Sequence, residues 1–303
     1  MPKPTYSGFV PLIGRPNVGK STLMNLFIGE KISIVTSKPQ TTRNKIRCIL
    51  TGDDYQIVFI DTPGIHAPRT KLGEHMVASA HDALNEVDAV IYMVEPRTRI
   101  HESDAAILER LKNVKCPVFL AINKIDQVEK TELLRIIDTY RGRYDFAEIV
   151  PLSALKADNT DALLSSIRRV LPEGPMYFPE DMITDSPERI LVSEIIREKA
   201  LTFLQEEIPH GVAVEITRMR PRNEADEGSI VDIEATLFCE RDSHKAIIIG
   251  KGGEMLKRIG STARRDVERL LGSPIYLQLW VKVKKNWRDS TAHLRNFGYN
   301  DLQ

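Results

Sequence analysis

The nine residues from Gly14 to Thr22, GRPNVGKST, constrain this chain more than any other stretch, because they match GxxxxGK[ST] and stand between an apolar run and a helical pattern. Phe9 to Ile13 reads as a short strand, and from Thr22 to Ile28 the residues Leu23, Leu26 and Phe27 fall on one side of a helix. A glycine-containing turn from a strand into a helix N-terminus gathers free backbone N–H groups and the positive end of the helix dipole, so it can wrap an anionic phosphate chain. Gly14 and Gly19 let the backbone turn tightly, Lys20 can reach outer phosphates, and the Ser21 hydroxyl can ligate magnesium. Arg15, Pro16, Asn17, Val18 and Thr22 complete the same nucleotide-binding loop.

The segment that follows, Gly29 to Arg43, is polar and without clear period, which suits a mobile stretch near a nucleotide. Ile46, Cys48 and Leu50 alternate, and after a turn signal the apolar run Ile57 to Ile60 ends in DTPG, the residues Asp61, Thr62, Pro63 and Gly64. A carboxylate at the end of a buried strand facing a phosphate loop is placed to hold magnesium through water, and the Gly64 N–H can meet the last phosphate. Helical patterns from about Lys71 to Glu86 and Ser103 to Lys112 alternate with strands Ala89 to Val94 and Val118 to Ile122. The second of these strands runs into NKID, Asn123 to Asp126. The run Ile149 to Leu152 ends in SAL, which is Ser153, Ala154 and Leu155, before a helix from about Asp161 to Val170. This alternation predicts an α/β domain with a mostly parallel sheet and ligand loops at the carboxyl ends of its strands, where every one of these motifs falls.

The order GRPNVGKS, Thr42, DTPG, NKID, SAL resembles the guanine-nucleotide domains of the translation-factor class of GTPases over about the first 170 residues. The resemblance implies that Thr42, with Thr41 as the neighbouring candidate, completes the magnesium shell beside Ser21 and Asp61. It implies that Asn123, Lys124 and Asp126 read guanine, and that Ser153, Ala154 and Leu155 support the base. Lys20, Thr42 and Gly64 are then the catalytic set. Related GxPNxGKS loops bind a potassium ion through the residue matching Asn17. Two features depart from expectation. Pro11 lacks a ladder donor inside a central strand, so pairing there should be interrupted. Ile65 stands where many small GTPases carry a water-orienting glutamine.

Four prolines between Pro172 and Pro187 mark a linker of restricted flexibility. Beyond it come a helical pattern from Pro187 to Glu207, strands Val212 to Met219 and Ile230 to Phe238, and a short helix from Ser243. IIIGKGGEMLKRIG follows, from Ile247 to Gly260, then a helix carrying Met255, Ile259, Ala263, Val267 and Leu270, and a last strand from Ile275 to Val283. This arrangement resembles a type II KH domain, a small α+β fold with Gly250, Lys251, Gly252 and Gly253 as its nucleic-acid loop. Lys245, Lys257 and Arg258 flank that loop. On the last strand the aliphatic residues form the core face, while Tyr276 and Trp280 on the other face should pack against the other domain or the C-terminal tail more readily than they stack bases.

A length of 303 residues fits two domains, expected at 1–172 and 187–303 with the linker at 173–186. Lys plus Arg and Asp plus Glu both total 42, yet Arg241 to Arg288 holds twelve basic and four acidic residues, so the neutrality is a cancellation that leaves a basic C-terminal third. Three scattered cysteines indicate a reduced compartment, and His75 and His81, six apart, do not share a helix face as a zinc pair would. No signal peptide and no apolar run near the roughly 18 residues of a membrane span is present, so a soluble cytoplasmic monomer is expected, with peripheral contact at the inner face of the cell membrane left open. The whole arrangement resembles the Era-type GTPase family. That resemblance implies GTP and GDP as ligands, magnesium as cofactor, and the 3′ end of small-subunit ribosomal RNA as partner during small-subunit assembly.

Overall fold

The computed structural model describes residues 4–36, 38, 41–65, 68, 70–205, 208–223, 228–297 and 299. Strand β1 (Tyr6–Gly14) pairs in parallel with β3 (Tyr55–Asp61), while β2 (Ile46–Thr51) pairs antiparallel on the far side of β3. The other side of β1 pairs in parallel with β4 (Val90–Val94), followed by β5 (Val118–Ile122) and β6 (Glu148–Pro151), giving the order β2-β3-β1-β4-β5-β6. Every residue of β4 (VIYMV) and β5 (VFLAI) is buried, the continuous apolar run expected where helices cover both faces of a parallel sheet. The connecting helices are α1 (Lys20–Ile28), α2 (Lys71–Asp82), α3 (Glu102–Leu111) and α4 (Lys130–Arg141), and α5 (Thr160–Arg168) follows the last strand.

Pro11 does not break β1. Its register with β3 runs unbroken from Tyr6 to Leu12, because the missing donor faces the other neighbour. On that side pairing with β4 begins only at Leu12, and before it the Asp88 carboxylate accepts from the Phe9 N–H at 2.7 Å. The strand order therefore survives a proline at a position where one ladder bond is simply not made.

The chain divides into two compact units, one of Met1–Ser33, Thr42–Pro68 and Met76–Asp185, the other of Ile34–Thr41, Arg69–His75 and Ser186–Gln303. The proline-rich stretch expected as a linker is tied along the first unit. Ser7 Oγ donates to the Pro175 carbonyl, Gln56 Oε1 accepts from the N–H groups of Tyr177 and Phe178, and the Ile49 N–H reaches the Ile183 carbonyl, so the outer edge of β2 is covered.

In the second unit α6 (Glu188–Phe203), α7 (Asp242–Ile249) and α8 (Glu254–Leu271) pack on one face of a sheet of β7 (Ala213–Pro221), β8 (Val231–Cys239) and β9 (Ile275–Val283). β7 and β8 are antiparallel with a bulge between Ile216 and Arg218. β8 and β9 are parallel, so the α7–α8 pair serves as their crossover. Ile259, Ala263 and Val267 recur every fourth residue of α8 and are fully buried. The α6 helix stops at Phe203, while the expected end at Glu207 lies outside the described residues.

Tyr276 and Trp280 do not pack away: both are about half exposed. The tail instead folds back through α9 (Thr291–Asn296) and a fully buried Trp287, whose Nε1 donates to the Gly211 carbonyl at 2.9 Å. Among the described residues no helix is long and apolar enough to cross a membrane.

Candidate nucleotide and RNA sites

The phosphate loop leaves β1 at Gly14 and enters α1 at Lys20, and its shape depends on glycine twice. Gly14 has φ +150 and a Cβ there would sit 2.4 Å from the Met93 carbonyl oxygen; Gly19 has φ +105 and its Cβ would sit 2.2 Å from Asn123 Nδ2. Lys20 is buried, and its Nζ donates to the Gly14 carbonyl at 3.2 Å and the Arg15 carbonyl at 3.1 Å. Burial pulls its pKa down to about 8 against the opposing pull of Asp61, so the ammonium is held in a dry site at the expense of its charge.

Facing it at the end of β3, Asp61 is fully buried. Its Oδ2 accepts from Ser21 Oγ at 2.6 Å and from Thr42 Oγ1 at 3.1 Å, and the two hydroxyls lie 3.1 Å apart. Burial raises the Asp61 pKa, while Lys20 and the bonds from Ser21 and Thr42 work to lower it. Its Oδ1 is buried with no hydrogen-bond partner. Three converging hard oxygen donors with one unpaired carboxylate oxygen fit a magnesium ion that keeps water in its shell. Thr41 is not part of this cluster, since its Oγ1 donates to the Lys38 carbonyl at 2.6 Å. The start of the polar segment is pinned: Asn25 Oδ1 accepts from the N–H groups of Ile32 and Ser33. Positions 37, 39 and 40 within that segment lie outside the described residues.

After Asp61, Thr62 Oγ1 donates to the Leu12 carbonyl at 2.5 Å, and a Cβ on Gly64 would meet Pro16 atoms at 2.7 Å, so DTPG lies directly against the phosphate loop. Ile65 turns away into the core beside Ile13, Ala80 and Tyr92.

Asn123 joins the phosphate and base loops. Its Nδ2 donates to the Val18 carbonyl at 2.7 Å, and its Oδ1 accepts from the Ala154 N–H at 2.9 Å. Asp126 Oδ1 accepts from Ser153 Oγ at 2.6 Å, which aims the carboxylate and leaves Oδ2 for a ligand. Lys124, with φ 66, donates from Nζ to the Asn17 carbonyl at 2.8 Å. Leu155 is largely exposed at the rim. Arg15 contributes its backbone to the loop, while its side chain points away to Asp104, with Nε to Oδ2 at 2.7 Å. Burial raises the Asp104 pKa against the pull of Arg15. Glu95 has burial working upward too, yet the bond from Lys124 and the charges of Lys124, Arg97 and Arg15 hold it below the usual range. Neither acid belongs to a motif, so no local signal in the sequence marks them.

In the second unit Gly250, Lys251, Gly252 and Gly253 form the short turn between α7 and α8. All three glycines have positive φ. A Cβ on Gly250 would strike Met255, whereas nothing lies within 4 Å of a Cβ on Gly252 or Gly253. Lys251 and Lys257 are exposed, Lys245 is half-buried, and Ile247 supplies an exposed apolar edge. The Arg258 guanidinium rests 4.3 Å over the Phe203 ring, and farther along α8 Arg264 pairs with Glu268 at 2.8 Å. An open backbone loop with basic residues and an apolar rim can accept a single-stranded phosphate backbone with its bases turned inward.

A family model described as a 50S ribosome-binding GTPase matches residues 9–124, and a KH domain model matches residues 207–288. The chain is 57% identical to the GTPase Era of Clostridioides difficile (strain 630), over 97% of this chain and 99% of that protein. The chain belongs to the Era GTPase family. GTPase Era of Clostridium botulinum (strain Alaska E43 / Type E3) is 55% identical over 97% of this chain and 98% of its own length. Among solved structures, Era in complex with MgGDPNP and nucleotides 1506–1542 of 16S ribosomal RNA is 41% identical, with a TM-score of 0.93 over 97% of this chain and 99% of that one. A variant of Aquifex aeolicus Era bound to GDP and aluminium fluoride is also 41% identical, with a TM-score of 0.91 over the same shares. Family membership and the match of both domain models agree with the P-loop GTPase fold followed by a KH domain. In Era terms, the guanine-nucleotide motifs converge at the carboxyl ends of β1, β3, β5 and β6, and the KH loop stands between α7 and α8.

Proposed function

We propose that this protein binds and hydrolyses GTP in its first unit and binds single-stranded ribosomal RNA, at the 3′ end of the small-subunit molecule, in its second. Its role is then in assembly and maturation of the small ribosomal subunit in the cytoplasm, as a monomer. The observation that carries the reading is the convergence of Lys20, Ser21, Thr42, Asp61, Asn123 and Asp126 in one unit, in a chain similar along its length to an Era solved with both MgGDPNP and a 16S rRNA fragment.

Ser21 and Thr42 would hold magnesium directly and Asp61 would hold it through water. When bound, that ion neutralises charge on the outer phosphates. The chain's own residues do the rest. Lys20, poised on two loop carbonyls, moves its ammonium to the outer phosphates, and the loop N–H groups with that of Gly64 surround them, so charge developing at the transferring group is met by fixed donors. Asp126 Oδ2 accepts from the guanine N1–H and 2-amino groups, which adenine does not offer, and the N–H of Ala154 and the Leu155 backbone border the base.

Among the described residues no side chain stands as a general base. Ile65 lies in the core and Arg15 is held by Asp104, so among the described residues neither supplies a water-orienting group or an arginine finger, an element worth about 10³ to 10⁵ in rate, and slow intrinsic turnover is expected. A potassium ion beside Asn17 is the finer part of this reading and would supply some of that charge. Turnover in potassium and in sodium at equal ionic strength tests it, and equal rates would remove it. The function as a whole is tested by RNA crosslinked to the protein in cells and sequenced with and without a GTP-locked variant. Reads at the 3′ end of small-subunit rRNA are expected, and reads scattered over unrelated RNAs would overturn the assignment.

A further inference from the structure

Charged side chains outside every motif link the phosphate loop to the base loop. Asp104 on α3 accepts from Arg15 Nε at 2.7 Å through Oδ2, and from the Tyr92 hydroxyl at 3.1 Å through Oδ1. Glu95, the residue after β4, lies 3.6 Å from Arg15 Nη2 through Oε2 and accepts from Lys124 Nζ at 2.6 Å through Oε1. The side chains of Arg15, Asp104 and Glu95 are 13%, 2% and 17% exposed, so these bonds are made largely out of water, where they are stronger.

Each link ends on loop backbone. Arg15, anchored by Asp104, presents the carbonyl that accepts from Lys20 Nζ, and Lys124, anchored by Glu95, donates to the Asn17 carbonyl. Asn17 and Lys124 are non-glycine residues at φ 65 and φ 66, a conformation that persists only where the surroundings impose it. The Lys124–Asn17 bond joins these two residues directly.

We propose that Glu95 and Asp104 are positioning residues for guanine-nucleotide binding, acting through Lys124 and Arg15 to hold the phosphate loop and the base loop at one fixed spacing. Neither acid touches the nucleotide. The proposal rests on the guanine-nucleotide reading of the site and deepens it. A frame that holds the two loops at one spacing acts on ground-state binding and transition state alike, so its loss should raise KM while leaving kcat.

The test uses the full chain with Glu95→Gln and Asp104→Asn, which keep shape and remove charge. Dissociation of a fluorescent GDP analogue is followed by stopped flow, with steady-state GTP turnover and thermal melting alongside. A hydrogen bond to a charged group corresponds to about 10- to 100-fold, so each variant should release GDP faster and raise KM by that factor, with kcat within about threefold of wild type. Arg15→Gln combined with Asp104→Asn should be no worse than Arg15→Gln alone, since both act along one path. A lower melting temperature with unchanged GDP release in both variants would overturn the proposal, as would full additivity in the double variant. If wild type itself fails to bind the GDP analogue, the nucleotide reading fails instead, so the two failures are distinguishable.

Discussion

Gly19→Ala should damage phosphate and base binding together, and the size of the effect follows from two distances. At φ +105 any L side chain is strained by about 1–2 kcal/mol. The new methyl would also lie 2.2 Å from Asn123 Nδ2, so the Asn123 amide must rotate and release the Val18 carbonyl it holds at 2.7 Å. Leaving that buried carbonyl unpaired costs about 1–3 kcal/mol. Together these amount to about 2–5 kcal/mol, or roughly 30- to 4000-fold in GDP affinity if the nucleotide-bound state requires the original geometry. The matched control is Gly29→Ala, at φ +78 with nothing within 4 Å of its Cβ, which carries the strain without the collision. Titration of both variants with a fluorescent GDP analogue, together with thermal melting, separates the terms. Gly29→Ala should lose a few degrees and keep its affinity. Gly19→Ala binding GDP within threefold of wild type would refute the reasoning.

Asp126→Asn should shift preference from guanine toward xanthine nucleotides, because a site built on those hydrogen bonds discriminates by roughly 10⁴ to 10⁵; competition binding with XTP and GTP reads it, and wild type binding ATP as well as GTP would sink the assignment. Replacing Lys251 and Gly252 together with aspartate places two negative charges in the open KH loop, so single-stranded RNA binding should collapse in a filter assay while GTP turnover without RNA stays near wild type. Lys20 is lowered to about 8 from 10.5, so the unfolded chain binds the extra proton between those values and the nucleotide-free protein gains stability there as pH rises, with no change from this group below pH 8. By the same linkage GTP binding takes up a proton above pH 8, and affinity should fall by up to about tenfold per pH unit from 8 to 9 in a titration series; a flat profile would rule this out.

What was legible in the sequence was local. The motif residues could be placed because each lies at a strand end whose apolar run is visible within five or six residues. Thr42 against Thr41 was not decidable locally, since the choice depends on which hydroxyl reaches Asp61 across 19 or 20 positions. The helix α4 has a local signal, since Leu133, Ile136, Ile137 and Tyr140 recur at helical spacing and form its apolar face. Trp287 had no such signal: a lone tryptophan in a polar tail is buried because its indole N–H finds a carbonyl 76 residues earlier. Glu95 and Asp104 are likewise defined by partners far away in the chain, and charge alone does not distinguish them from solvated acids.

Glycine serves opposite ends in the two loops. In the phosphate loop and DTPG, a Cβ at Gly14, Gly19 or Gly64 would meet backbone or side-chain atoms already in place at 2.2 to 2.7 Å. That cradle is built to a fixed size before any ligand arrives, which suits a phosphate chain whose geometry never varies. In the KH loop, Gly252 and Gly253 face open space, so the protein's own packing does not require their bareness. The positive φ values of 61 and 82 favour glycine there, and open space leaves room for the RNA backbone of the proposed function to pass close by. Substitutions at Gly14, Gly19 and Gly64 therefore act on the folded loop itself. A residue tolerant of left-handed backbone at Gly252 should leave the fold intact and be felt only when RNA is present.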